Sequence, residues 1–157
     1  MFDIAELVKI AVEDERTGVS FYSALAERTA NPELKKVWAE LAQQERQHQR
    51  RFEEMLKSLG EAKVPEGYGG EYASYLRALT SNRAFPDEAS AVRMAQESQG
   101  DAAAVDLALR FERDTLILMQ EMRALVPEKD RAVVDELADE ERAHIVTLTE
   151  ARSRLGS

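Results

Sequence analysis

Apolar residues recur at spacings of three and four along four stretches of the chain, which is the pattern of amphipathic helices. This pattern predicts long helices over about residues 3–29, 31–59, 101–126 and 128–155. Residues suited to helix ends agree with these limits: Asp3, Asn31 and Asp101 as N-caps, Pro32 in a first turn and Gly60 as a C-terminal stop. The predicted fold class is therefore all-α, built on two helix hairpins.

A connection of about forty residues joins the two hairpins, 3–59 and 101–155. It begins with an irregular Pro- and Gly-rich loop, and short helices are predicted at about 71–79 and, after Phe85-Pro86-Asp87, up to about 98. Such a length suits a crossover that returns the chain to the starting end of the bundle. We expect residues 1–157 to form a single ferritin-like antiparallel four-helix bundle with crossover 60–100. Exchange of hairpins between two chains is the alternative.

Each apolar stripe is interrupted at mid-helix by acidic or imidazole side chains, namely Glu15, Glu45, His48, Glu112, Glu141 and His144. Residues i and i+3 share a helix face, so both members of each Glu-x-x-His pair point inward. Buried carboxylates are costly unless they are paired, protonated or metal-bound, and no Lys or Arg falls in the central layer of the stripes. The set matches a two-metal site in a helix bundle. The competing interpretation, surface glutamates with two incidental histidines, requires wrong faces for all four helices.

The two halves of the chain also repeat. Residues 11–16 align with 108–113, and residues 40–48 align with 136–144, so that Glu112 follows Glu15 by 97 residues and Glu141 follows Glu45 by 96. Two such hairpins related by a pseudo-twofold axis would place their half-sites face to face. Metal ions in sites of this kind lie ~3.5–4 Å apart.

Net charge and composition argue against several classes of binding partner and site. The net charge of −9 argues against nucleic acid and against an anionic membrane surface. No apolar run approaches the ~20 residues of a membrane-spanning helix, and the first residues do not resemble a signal peptide. The absence of cysteine excludes disulfides, zinc ribbons and iron–sulfur clusters. A soluble cytoplasmic protein is expected.

The ordered motifs resemble the ferritin-like domain of the rubrerythrin family over nearly the whole chain. They are Glu15-x-x-Gly18-x-x-Phe21-Tyr22, Glu45-x-x-His48, Phe85-Pro86, Glu112 and Glu141-x-x-His144. The resemblance implies two iron ions held by the six residues, with Glu45 and Glu141 as bridging carboxylates, although Mn or Zn suits similar ligands. It further implies an oxidoreductase that reduces peroxide or dioxygen, or oxidises ferrous iron, and a homodimer. A metal-binding or storage bundle without turnover, and a structural interaction bundle, are the alternatives.

Two departures from the family bear on activity. Rubrerythrins carry a rubredoxin domain that supplies electrons, and this chain has no cysteine to form one, so a separate electron-donor protein is expected. The family's additional glutamate, one turn after the ligand of the third long helix, is here Thr115. This replacement argues against ligand switching coupled to redox state.

Further residues have two interpretations each. Tyr22 is either a hydrogen-bond donor to a ligand, with a possible redox role, or a core tyrosine. Gly18 and Thr115 either leave an opening beside the metals or allow close helix packing. Gln44 and Glu140 either orient a histidine of the opposite helix or lie in solvent. The run from 46 to 51 reads as a solvated face, with partners such as Glu54 on the same helix.

Overall fold

The computed structural model describes residues 4–60 and 70–156. This part of the chain contains no strand and six helices: α1 Ile4–Arg28, α2 Pro32–Leu59, α3 Gly70–Ser81, α4 Glu88–Glu97, α5 Asp101–Leu125 and α6 Glu128–Arg154. The all-α prediction is confirmed. The predicted cap Asp3 and the loop residues 65–69 lie outside the described residues. None of the described helices has the length and apolar character needed to cross a membrane.

The four long helices pack as two antiparallel hairpins, α1 with α2 and α5 with α6. Helix α1 also packs against α5, and α2 against α6, so the hairpins face each other. Helix α4 of the crossover packs along α1, where Arg28 donates hydrogen bonds to the last carbonyls of α4, one of them the carbonyl of Ala95 at 2.9 Å. Both hairpins of the bundle therefore come from one chain in this structure.

Side chains cap the first turns of α2 and α4. Asn31 Oδ1 accepts from the backbone N–H of Glu33 at 3.0 Å, and Asp87 Oδ1 accepts from Ser90 N–H at 2.6 Å at the start of α4. The prediction that Asp101 is the N-cap of α5 is wrong. Gly100 is the N-cap residue of α5, with φ +93, a conformation that glycine adopts without strain.

Asp101 has another role at this point of the fold. Its carboxylate accepts a hydrogen bond from the Thr29 hydroxyl at 2.8 Å, which ties the C-terminal end of α1 to the first turn of α5. Gly60, in contrast, ends α2 as predicted, with φ +54.

The apolar core consists of two clusters separated along the bundle axis. One contains Phe21, Trp38, Val105 and Leu148, and the other contains Val8, Phe52, Met119 and Leu137. Each long helix contributes to both clusters and carries its predicted metal ligands between them. The predicted inward stripes are buried, except that Arg152 and Leu155 near the end of α6 are only partly buried. A polar layer therefore lies at mid-bundle with apolar side chains above and below it.

Candidate metal centre

The structure brings all six predicted candidate ligands together in this polar layer. None of these residues is more than 2% exposed. Their ligand atoms form two groups, each with its atoms within 4.8 Å of one another: Glu15, Glu45, His48 and Glu141 in the first, and Glu45, Glu112, Glu141 and His144 in the second. Glu45 and Glu141 belong to both groups. Two adjoining half-sites with two shared carboxylates follow from this overlap.

The terminal carboxylates follow the pseudo-twofold symmetry expected from the repeat, but both histidines lie nearer to Glu141 than to Glu45. His48 Nδ1 lies 2.9 Å from Glu141 Oε1 and 3.6 Å from Glu15 Oε2. His144 Nδ1 lies 3.1 Å from Glu141 Oε2 and 3.4 Å from Glu112 Oε1. The two imidazoles are nearly parallel, with an interplanar angle of 13° and ring centroids 5.4 Å apart. Each histidine thus turns the same nitrogen toward the carboxylates.

Several carboxylate oxygens of the layer have no hydrogen-bond donor among the described residues. They are both oxygens of Glu15, both oxygens of Glu45, and Glu112 Oε2. Buried polar atoms are normally satisfied, and the ligand atoms of each group lie within 4.8 Å of one another, so these unpaired oxygens suit a bound cation. Among the described residues, these carboxylates form ion pairs only with the two histidines. The residues fit two divalent cations, whose four charges balance four carboxylates.

Without metal, the electrostatics of the layer favour bound protons. Burial, together with the charges of Glu45 and Glu141, raises the pKa of Glu15 well above its ordinary value. Burial and the charge of Glu141 raise the pKa of Glu112 to about 8. Burial also opposes ionisation of Glu141, but hydrogen bonds from Glu112 and both histidines hold its pKa below the ordinary value.

The histidines respond in the opposite sense to burial. Burial alone would lower the pKa of His48, but its hydrogen bond to Glu141 and the nearby carboxylates of Glu15 and Glu45 outweigh burial and raise the pKa. Glu112, Glu141 and Glu45 act in the same way on His144. The metal-free layer therefore holds protons at the positions where cations would otherwise neutralise it.

The outer nitrogen of each imidazole is also held. His48 Nε2 donates to Glu140 Oε2 at 2.6 Å, and His144 Nε2 donates to Gln44 Oε1. These bonds cross between α2 and α6 and hold the proton on Nε2, so Nδ1, which faces the carboxylates, is the nitrogen that a cation would bind. The structure supports the orienting interpretation of both residues, although the Glu140 side chain is also 46% exposed.

Sequence reasoning missed the contribution of Arg51. Its guanidinium reaches across to α6, with Nη1 3.5 Å from Glu140 Oε1 and Nη2 2.5 Å from Glu136 Oε2. The charge pattern along α2 suggested partners on the same helix. Only the packing of α2 against α6 reveals this one, because the spacing of residues within a helix does not specify the facing helix.

Gly18 closes a flank of the site instead of opening it. A Cβ atom at Gly18 would lie 3.1 Å from the ring of Phe111 and 3.2 Å from Cγ of Glu45. Of the two interpretations of Gly18, the structure favours close helix packing, since α1 approaches α2 and α5 too closely there for an opening. Thr115 holds the repeat-related position, and it lines a cavity of about 10 Å³ together with Thr17. That volume corresponds to about one water molecule.

Tyr22 contacts the site through its hydroxyl. The buried hydroxyl donates to Glu112 Oε1, and the ring stacks on Trp38 with centroids 5.7 Å apart. Burial and the charge of Glu112 raise the pKa of Tyr22, so its hydroxyl keeps the proton that it donates. Tyr22 thus orients a carboxylate on the facing helix α5, and not Glu15 on its own helix.

The bundle and its buried Glu and His residues define a ferritin-like protein with a potential metal site of the carboxylate class. A family model for rubrerythrin matches residues 6–152, and the chain belongs to the rubrerythrin family. A solved structure from Thermotoga maritima, described as a ferritin-like diiron-carboxylate protein, is 25% identical, with a TM-score of 0.73 over 97% of this chain and 95% of that one. No curated protein matches this chain significantly.

Proposed function

We propose that this protein is a non-haem di-iron oxidoreductase that reduces peroxide or dioxygen, or oxidises ferrous iron. The observation that carries the proposal is the pair of adjoining ligand groups with Glu45 and Glu141 in common. Mixed carboxylate and imidazole ligands suit iron or manganese. Membership of the rubrerythrin family and the likeness to a protein described as diiron-carboxylate favour iron.

Each half-site contributes one terminal carboxylate and one imidazole. Glu15 with His48 would hold one ion, Glu112 with His144 would hold the other, and Glu45 and Glu141 would bridge them. When bound, two ferrous ions would supply the two electrons that, with two protons, convert hydrogen peroxide to two water molecules.

The surrounding residues govern access and proton placement. The apolar clusters on both sides keep bulk water away from the polar layer. Tyr22 holds Glu112 in place through its hydroxyl. The 157 residues contain no cysteine for a rubredoxin-type iron site, so we propose that a separate protein donates electrons. A homodimer is part of the same proposal.

An anaerobic ferrous titration of the metal-free protein, followed by stopped-flow mixing with peroxide and separately with oxygen, tests this function. We expect two irons per chain and growth of ferric absorption in the near ultraviolet, and the faster oxidant identifies the substrate. Glu45→Ala with Glu141→Ala should abolish iron binding. Glu40→Ala with Glu136→Ala is the matched control, because these repeat-related side chains are 59% and 66% exposed.

Other results would contradict the proposal. Two bound metals that remain inert to both oxidants would indicate a binding or storage protein. A folded protein that takes up no iron, and whose partner binding survives loss of Glu45 and Glu141, would indicate a structural bundle.

A further inference from the structure

The two half-sites differ at the acceptors of their histidines. Gln44 and Glu140 occupy repeat-related positions, each immediately before a shared glutamate. His144 Nε2 donates to the neutral amide oxygen of Gln44, whereas His48 Nε2 donates to the carboxylate of Glu140 at 2.6 Å. The pseudo-twofold symmetry of the ligands therefore does not extend to the groups that hold them.

Arg51 reinforces this difference on one side only. Its guanidinium lies 3.5 Å from Glu140 Oε1 and also pairs with Glu136, so a positive charge lies beside the carboxylate that His48 contacts. The position related to Arg51 by the repeat is Thr147, a neutral residue too short to act in this way. A fixed Arg–carboxylate–imidazole chain thus exists only at the half-site of His48.

The terminal carboxylates differ in the same direction. Tyr22 donates to Glu112 Oε1, the oxygen that also lies 3.4 Å from His144 Nδ1. Its repeat-related residue, Met119, has no hydroxyl, and both oxygens of Glu15 are without a hydrogen-bond donor among the described residues. Glu15 therefore has two free oxygens for a cation, and Glu112 has one already engaged.

Both differences change ligand strength. A carboxylate that accepts the outer N–H of an imidazole makes the opposite nitrogen more basic, and it does so more strongly than a neutral amide because the hydrogen bond is charge-assisted. A hydroxyl that donates to a carboxylate oxygen withdraws part of its charge. His48 and Glu15 are accordingly the stronger donors, and His144 and Glu112 the weaker.

We infer that the two metal positions fill in a fixed order, the position of Glu15 and His48 first, and that Glu140 is the positioning residue that sets this order. The inference rests on the proposed two-metal site and goes beyond it. A chain with one bound ion would therefore hold that ion at the half-site that contacts Glu140.

Zinc titration of the metal-free protein tests the order without any turnover. Calorimetry with a competing chelator should resolve two steps, and crystals grown with one equivalent of Zn²⁺ should show anomalous density at Nδ1 of His48. Glu140→Gln, which gives both histidines an amide acceptor, should weaken the first step by about 10- to 100-fold and bring it toward the second. Gln44→Glu, the converse change, should strengthen the second step.

Glu40→Gln is the matched control, because the exposed Glu40 pairs with Lys36 on its own helix and lies outside the contacts described for Glu140, so both steps should stay unchanged. The melting temperature of each metal-free variant checks folding. Equal occupancy at one equivalent, density at His144, or zinc steps unaltered by both Glu140→Gln and Gln44→Glu would overturn the inferred order alone. Absence of any zinc binding by the native protein would overturn the two-metal site as well.

Discussion

Gly18 lies close both to a core side chain of α5 and to a candidate ligand of α2. Gly18→Ala would place a methyl group 3.1 Å from the ring of Phe111 and 3.2 Å from Cγ of Glu45. Overpacking of this kind costs ~1–3 kcal/mol, against ~1 kcal/mol gained from helix propensity. We expect a net loss of stability in urea unfolding, and weaker metal binding because Glu45 is displaced. Gly70→Ala, with no atom within 4 Å of the added methyl, is the control. Unchanged metal affinity in Gly18→Ala would contradict this expectation.

Tyr22 shows what spacing along a helix reveals and what it does not. The sequence places Tyr22 on the face of Glu15, but the acceptor of its hydroxyl is Glu112 on the facing helix. Tyr22→Phe removes a buried donor, and we expect a loss of about 1–3 kcal/mol in the free energy of unfolding. Tyr75→Phe, which removes an exposed hydroxyl bonded to Glu121 at 2.9 Å, should cost much less. Equal losses in the two variants would show that burial does not decide the strength of this bond.

Helix α2, which carries two of the candidate ligands, is stabilised by a side-chain cap at its first turn. Asn31 Oδ1 accepts from two backbone N–H groups there, at 3.0 and 3.2 Å. Asn31→Ala should lower the free energy of unfolding by ~1 kcal/mol, as measured by denaturant unfolding. Asn82→Ala, which removes an exposed amide contact to a carbonyl of α3, should change it by less than about 0.5 kcal/mol. If both substitutions have the same effect, Asn31 does not act as a cap.

The helices themselves were predictable because each buries one face, and the 3.6-residue period marks that face in the sequence. The start of α5 could not be predicted in this way, since it depends on the positive φ of Gly100. Asp101 instead accepts a hydrogen bond from Thr29. Contacts between helices could not be predicted from the 3.6-residue period either. The approach of Phe111 to Gly18 and the bond from Arg51 to α6 depend on which helix faces which.

For the whole molecule, the repeat and the crossover together explain why the candidate ligands converge. Two similar hairpins present similar polar positions, and the crossover lets them face each other within one chain. The inward direction of the candidate ligands was therefore readable from the sequence. The asymmetry between Gln44 and Glu140 gains meaning only once their hydrogen bonds to opposite histidines are known. The result is a bundle whose central layer requires either protons or cations.

This requirement predicts how stability depends on pH. Glu15, Glu112, His48 and His144 all have folded-state pKa values above their ordinary ones, so between about pH 5 and pH 8 the metal-free folded protein binds more protons than the unfolded chain. The stability of the metal-free protein must then fall as pH rises through this window. Asp14, whose pKa burial raises to about 6, acts with the same sign.

Bound metal ions should reverse this dependence, because they take the place of the protons and their affinity rises as the ligands deprotonate. We expect the melting temperature of the protein in EDTA to fall from pH 5 to pH 8, and that of the zinc-loaded protein to remain level or to rise. Glu15→Gln with Glu112→Gln should flatten the metal-free curve, because it removes two proton-binding groups and also weakens the carboxylate contacts that raise the histidine pKa values, while the part due to Asp14 remains. A metal-free melting temperature that increases over the same range would mean that the central layer is not held together by protons. The buried carboxylates would then need a different source of compensation from the one that the geometry of this bundle provides.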